Sequence, residues 1–302
     1  MTPMEFMLKY RNMVVPLIDQ RCIACVDVHQ HPNAAGRRDK ARPAGDRAGG
    51  AVRPAIEREL VKKARPLGGG LYLLKIVNGE YQASPPPRPG PPRGVIDPFT
   101  SDLEYVDLEE VSRAFDAKGS PEDVADMLRL ACGLGVVQKF MGCDGGPVTP
   151  GLLISFCDRY VGIDGNGFVG NYFRAIGLAD PGPWTPAHAF APSERRKCRL
   201  DDVRALDVLV WLGDDREGNH VAIIDHVYRI ARDDSGAVTA VECTVVESCG
   251  GGRDGSEGER RQDADGLGLS VYTLTPAGPR RFTVERGADK PSGEQVVIAS
   301  WV

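Results

Sequence analysis

Tyr160-Val161-Gly162-Ile163-Asp164-Gly165-Asn166-Gly167-Phe168-Val169-Gly170-Asn171-Tyr172-Phe173-Arg174-Ala175-Ile176-Gly177-Leu178 reads as a helix start, an amphipathic helix and a glycine stop. Asp164 and Asn166 suit an N-cap, and the glycines tolerate the tight entry. A turn that merely caps a helix explains the Asp164 to Gly167 segment by itself. A calcium loop does not, because Phe168 stands where the third ligand belongs and the closing Glu is missing.

Two further blocks follow in order. Ala205-Leu206-Asp207-Val208-Leu209-Val210-Trp211 and His220-Val221-Ala222-Ile223-Ile224-Asp225-His226-Val227 are apolar strands joined by a short connection. Ala240-Val241-Glu242-Cys243-Thr244-Val245-Val246-Glu247-Ser248 is a third strand, ending in a polar pair. His220 alone is an ordinary strand-start histidine, and Glu247 alone a solvated strand-end carboxylate. Their order relative to the helix start makes them more than that.

Over about residues 140 to 250 the three blocks resemble the NlpC-type and CHAP families of papain-like cysteine peptidases and amidases. In those families an Asp-Cys-Ser-Gly-Phe-Val segment opens the helix, a Gly-Asp-Leu-Val strand follows, and the next strand begins with the catalytic histidine. The resemblance puts Gly165 at the nucleophile position, His220 as base and later acid, and Glu247, or else Ser248, as the group that orients the histidine. It makes Asp164, Asn166, Trp211 and Ser248 the candidate substrate-binding residues. The implied fold is α+β, with papain-like helices packed on a small antiparallel sheet.

The chemistry explains why those types sit there. A thiolate attacks the acyl carbon, an imidazole lowers the thiol pKa and protonates the leaving amine, and a third group fixes the imidazole tautomer. A helix N-terminus adds free N–H groups and a favourable dipole. Gly165 supplies an N–H and no sulfur. The resemblance therefore implies a homologue that does not hydrolyse peptide or peptidoglycan amides and retains binding of a peptide or peptidoglycan fragment. The alternative is an active cell-wall-type cysteine hydrolase whose cysteine at 165 was replaced by engineering or sequence error. Of the eight cysteines, Cys157 lies too far before Gly165 to substitute, and Cys249 follows Glu247 closely enough to be worth testing. The others read as small buried apolar side chains.

Composition is that of an ordinary globular chain of 302 residues, 42% hydrophobic and 26% charged, with room for one sizeable domain and a smaller one. A formal charge of -5 argues against a dedicated nucleic-acid binder, although residues 37 to 65 carry ten Lys or Arg against four Asp or Glu. That run reads as a solvated arm. No apolar run approaches the roughly 20 residues of a membrane span. The stretch Met13 to Ile18 is too short for a signal peptide, and eight cysteines without one suggest free thiols in the cytoplasm. Cys22, Cys25, His29 and His31 are zinc-type ligands at the wrong spacing, so neither a metal nor another cofactor is expected.

Three regions result: residues 1–82 as an arm or small domain, 83–98 as a Pro-rich linker, and 99–302 as the domain with the site. Leu71 to Val77, closed by Asn78-Gly79, predicts a hairpin. Asp107 to Lys118, Ser120 to Gly133 and Pro150 to Tyr160 predict helices, the second with a capping signal. Residues 249 to 268 read as a long loop. Leu269 to Leu274, Arg281 to Arg286 and Gln295 to Val302 predict strands, the last as a sheet edge.

Overall fold

The computed structural model describes residues 1–17, 22–29, 49–64, 71–77, 80–84, 104–143, 145–211, 220–249, 266–286 and 294–302. The chain divides into two compact units, Lys9–Ile163 and Met1–Leu8 with Asp164–Val302. Helix α1 (Pro3–Arg11) spans the first boundary. The proposed linker residues from 85 to 98, the Asn78-Gly79 turn and the loop residues 250–265 lie outside the described residues, as does most of the basic run before residue 49.

In the unit Lys9–Ile163, β1 (Met13–Leu17) and β2 (Cys22–Val26) pair as an antiparallel ribbon. Helix α2 (Gly49–Ala64) follows, inside the basic run of residues 37 to 65 that reads as a solvated arm in the sequence. The predicted strand is β3 (Leu71–Val77), which pairs with β4 (Glu80–Ser84) and with β5 (Glu104–Asp107). Helices α3 (Leu108–Phe115), α4 (Pro121–Gly133), α5 (Val136–Met141) and α6 (Pro150–Tyr160) complete this unit. Ser120 caps α4 through a reciprocal box with Asp123, which matches the sequence signal. Among the described residues no helix is long and apolar enough to cross a membrane.

The other unit opens with α7 (Gly165–Ala175) and then runs into six strands, β6 (Val208–Trp211), β7 (His220–Arg232), β8 (Val238–Cys249), β9 (Gly266–Gly278), β10 (Arg281–Arg286) and β11 (Glu294–Ala299). All pair antiparallel, and they close into a barrel in the order β10-β11-β6-β7-β8-β9. This overturns the papain-like arrangement of helices on a small open sheet. The strands fall where the sequence places them, but β11 pairs with both β6 and β10 and so leaves no edge there. Closure depends on long, bent strands. β7 and β8 run 13 and 12 residues with register shifts after Ile224, Val227 and Ala231, and such bulges turn a sheet into a barrel.

The barrel core contains Leu209, Ala222, Ile224, Val245, Leu274 and Ile298, each fully buried. Val210, Val221, Ile223 and Val246 take the opposite phase and are also fully buried, because α7 packs on β7 and β8 and the short helical turn Ala187–Phe190 packs on β6. Burial on both faces is why these strands read as continuous apolar runs rather than alternating ones. The N-terminal residues support the same helix: Phe6 packs on Phe168 and Tyr172 with ring centroids 5.6 and 5.8 Å apart. The Tyr172 hydroxyl donates to the Met1 carbonyl at 3.0 Å.

Candidate functional site

Period-two alternation places the site. On β7, His220 shares the phase of the core residues Ala222 and Ile224, and on β8 Glu247 shares that of Val241, Cys243 and Val245. Ser270 and Arg286 likewise follow the phase of Tyr272 on β9 and of Phe282 and Val284 on β10. These polar groups therefore meet at one end of an apolar barrel interior.

Glu247 is the centre of the group, with a side chain 3% exposed. Its Oε2 lies 3.1 Å from His220 Nε2. Its Oε1 accepts from Ser270 Oγ at 2.6 Å, Tyr272 OH at 2.7 Å and Arg286 Nη2 at 2.6 Å. Burial by itself would raise this carboxyl. The hydrogen bond from His220, the Arg286 charge and the Ser270 hydroxyl outweigh burial and bring it from an ordinary 4.5 down to about 2. Burial and the neighbouring carboxylate push the Tyr272 phenol well up, so it stays a donor. An ionised Glu247 can only accept, which puts the ring proton of His220 on Nε2 and leaves Nδ1 as the basic nitrogen.

Nδ1 faces the start of α7. A Cβ built on Gly165 would stand 3.3 Å from His220 Nδ1 and 3.3 Å from its Cε1. The same Cβ would lie 2.6 Å from the Val221 carbonyl oxygen, closer than real Cβ atoms come to backbone. Residue 165 thus has the place of a side chain that the base would address, with β7 too near for one to fit unless the backbone shifts.

The other sequence candidates are distributed around this centre. Asp164 is the N-cap of α7, its Oδ1 accepting the Gly167 N–H at 2.6 Å. The Asn166 side chain donates to the Thr185 carbonyl at 3.0 Å, tying the helix start to the following loop. Trp211 packs on the His220 ring with centroids 4.9 Å apart, and its indole N–H donates to Glu294 at 2.9 Å. Ser248 is fully buried on the opposite phase of β8, so of the polar pair it is Glu247 that meets His220. Cys249 ends β8 with its side chain outside the described residues. Cys157 is buried on α6, where burial pushes its thiol well up, and Cys243 is pushed up to about 12 in the barrel core. Neither is a thiolate at neutral pH. Cys22 and Cys25 lie on β2, and among the described residues no cluster of three or more metal-ligating side chains occurs.

Sequence reading missed Ser270, Tyr272, Arg286 and Glu294. Their signal was a polar side chain on the inward phase of an apolar strand, which becomes visible once strand and phase are fixed. No known family, characterised protein or solved structure matches the chain.

Proposed function

We propose that this protein binds a peptide or peptidoglycan fragment at the His220 and Glu247 site without hydrolysing its amide bonds, as a relative of the cysteine peptidases and amidases with glycine at the nucleophile position. The observation that carries this reading is the 3.3 Å between His220 Nδ1 and the Cβ position of residue 165, with the opposite ring nitrogen on Glu247. Nucleophile, base and orienting group have that mutual order in covalent acyl transfer. Their surroundings here differ from a papain-like sheet, so the reading rests on the local constellation and not on the fold.

Loss of a covalent nucleophile removes several orders of magnitude in rate. The alternative of a cysteine lost from an otherwise active enzyme meets the Val221 carbonyl, 2.6 Å from the Cβ position of residue 165, and requires the β7 backbone to shift. The seven described cysteines are free thiols, which supports a reducing, cytoplasmic setting. Calorimetric titration with a short peptide amide and with a peptidoglycan fragment, followed by chromatography of the mixture, tests the proposal. Binding that weakens about tenfold in His220→Ala, a loss of roughly 1.4 kcal/mol, with no cleavage product, is expected. Steady product release, or no binding by the wild-type chain, overturns it.

A further inference from the structure

We infer that His220 and Glu247 form a general-base dyad that activates water directly, giving the chain a hydrolytic activity toward activated carboxylic esters that needs no side chain at residue 165. The inference rests on the site geometry of the binding proposal and not on its ligand class.

In a covalent cysteine hydrolase the basic ring nitrogen is engaged by the thiol. Here Nδ1 faces a glycine, and among the described residues no group bonds to it, since the one polar partner of the ring is Glu247 at Nε2. The ring is held from two sides: Glu247 fixes one nitrogen, and Trp211, itself fixed by Glu294, packs on the ring. Three donors on the other carboxylate oxygen hold Glu247 in turn. A base whose orientation is already determined loses little on reaction. The His220 side chain is 23% exposed, so water reaches the ring.

The step balances without a cofactor. Nδ1 takes a proton from water as the water oxygen bonds to the acyl carbon, and Glu247 stabilises the imidazolium. The carbon–oxygen bond to the leaving group then breaks, the imidazolium proton goes to the departing oxygen or to solvent, and a carboxylic acid and an alcohol result. The N–H groups of Gly165 and Asn166, at the first turn of α7, have no hydrogen-bond partner among the described residues and are the donors this inference assigns to the oxyanion. Amides, with a far poorer leaving group, stay beyond the reach of such a dyad.

The test uses the full chain with its cysteines first blocked by iodoacetamide, and follows p-nitrophenyl acetate at pH 8. Release of many equivalents at a steady rate is expected, slower in D2O than in H2O and reduced about 100-fold in His220→Gln, the low end of the general-base range. Should that variant not fold, carbethoxylation of His220 in the folded wild-type chain, mapped by mass spectrometry, replaces it and must abolish turnover. Release limited to one equivalent per reactive group, or an unchanged rate after either change at His220, overturns the inference. Peptide binding that persists without ester turnover removes this inference alone. Ester turnover without peptide binding removes only the ligand class.

Discussion

A carboxylate buried against a histidine, a tyrosine, a serine and an arginine couples the site to stability. Because the Glu247 carboxyl titrates near 2 in the folded chain and near its ordinary 4.5 when unfolded, the unfolded chain takes up the proton first as pH falls. Its contribution is therefore fully present above about pH 4.5 and is lost between there and about pH 2. Glu247→Gln should lower stability at pH 7 by on the order of 3 kcal/mol, as breaking one side of a buried ion pair does. It should also flatten the decline below pH 4.5, read from denaturant unfolding at a series of pH values. An unchanged acid slope would mean that the carboxylate is not held ionised. At this scale the sequence was informative about His220 and Glu247, because each stands at the end of an apolar strand in a recognisable order. Tyr272 and Arg286 gave no such cue, since a strand tyrosine and a strand-end arginine are ordinary surface choices until their phase is known.

Among the elements, α7 is the one whose position the site depends on. Glycines on two of its sides set how closely it packs: Gly165 against the Val221 carbonyl of β7, and Gly170 against the backbone of Gly182 and Pro183. Glycine to alanine inside an unhindered helix usually gains about 0.5–1 kcal/mol. Here the opposite sign is expected. Gly165→Ala should lose roughly 1–3 kcal/mol, and Gly170→Ala at least as much, because its Cβ would meet backbone on both Gly182 and Pro183. Thermal or denaturant unfolding of the two variants decides this, and a neutral or stabilised Gly165→Ala would mean that the strand yields and that residue 165 accepts a side chain. The helix itself was legible from Asp164 and the amphipathic run that follows. Its closeness to β7 was not, because a glycine at a helix start serves capping and close packing equally well.

For the whole molecule, barrel closure is the feature local signals could not supply. The strands from Val208 onward were placed by their apolar runs, yet helices followed by antiparallel strands describe an open sheet and a closed barrel alike. What separates them is one long-range pairing, β11 with β6, between residues more than eighty positions apart in the chain. Hydrogen exchange reads this directly. Val296 pairs with Phe282 on β10 and with Trp211 on β6, and Val297 and Ile298 pair with Val210 and Leu209 on β6, so these residues should exchange as slowly as Val245 and Val246 in the middle of β8. Rapid exchange of alternate amides along β11 would instead mark it as the edge of an open sheet.

The proposed function depends on His220 turning Nδ1 toward residue 165, and long-range proton–nitrogen NMR of the ring tests this most directly. At pH 9 the expected ring is protonated at Nε2, with Nδ1 bare and its signal moving when a peptide amide is added. A ring protonated at Nδ1, or one that exchanges between tautomers and ignores the ligand, would contradict it.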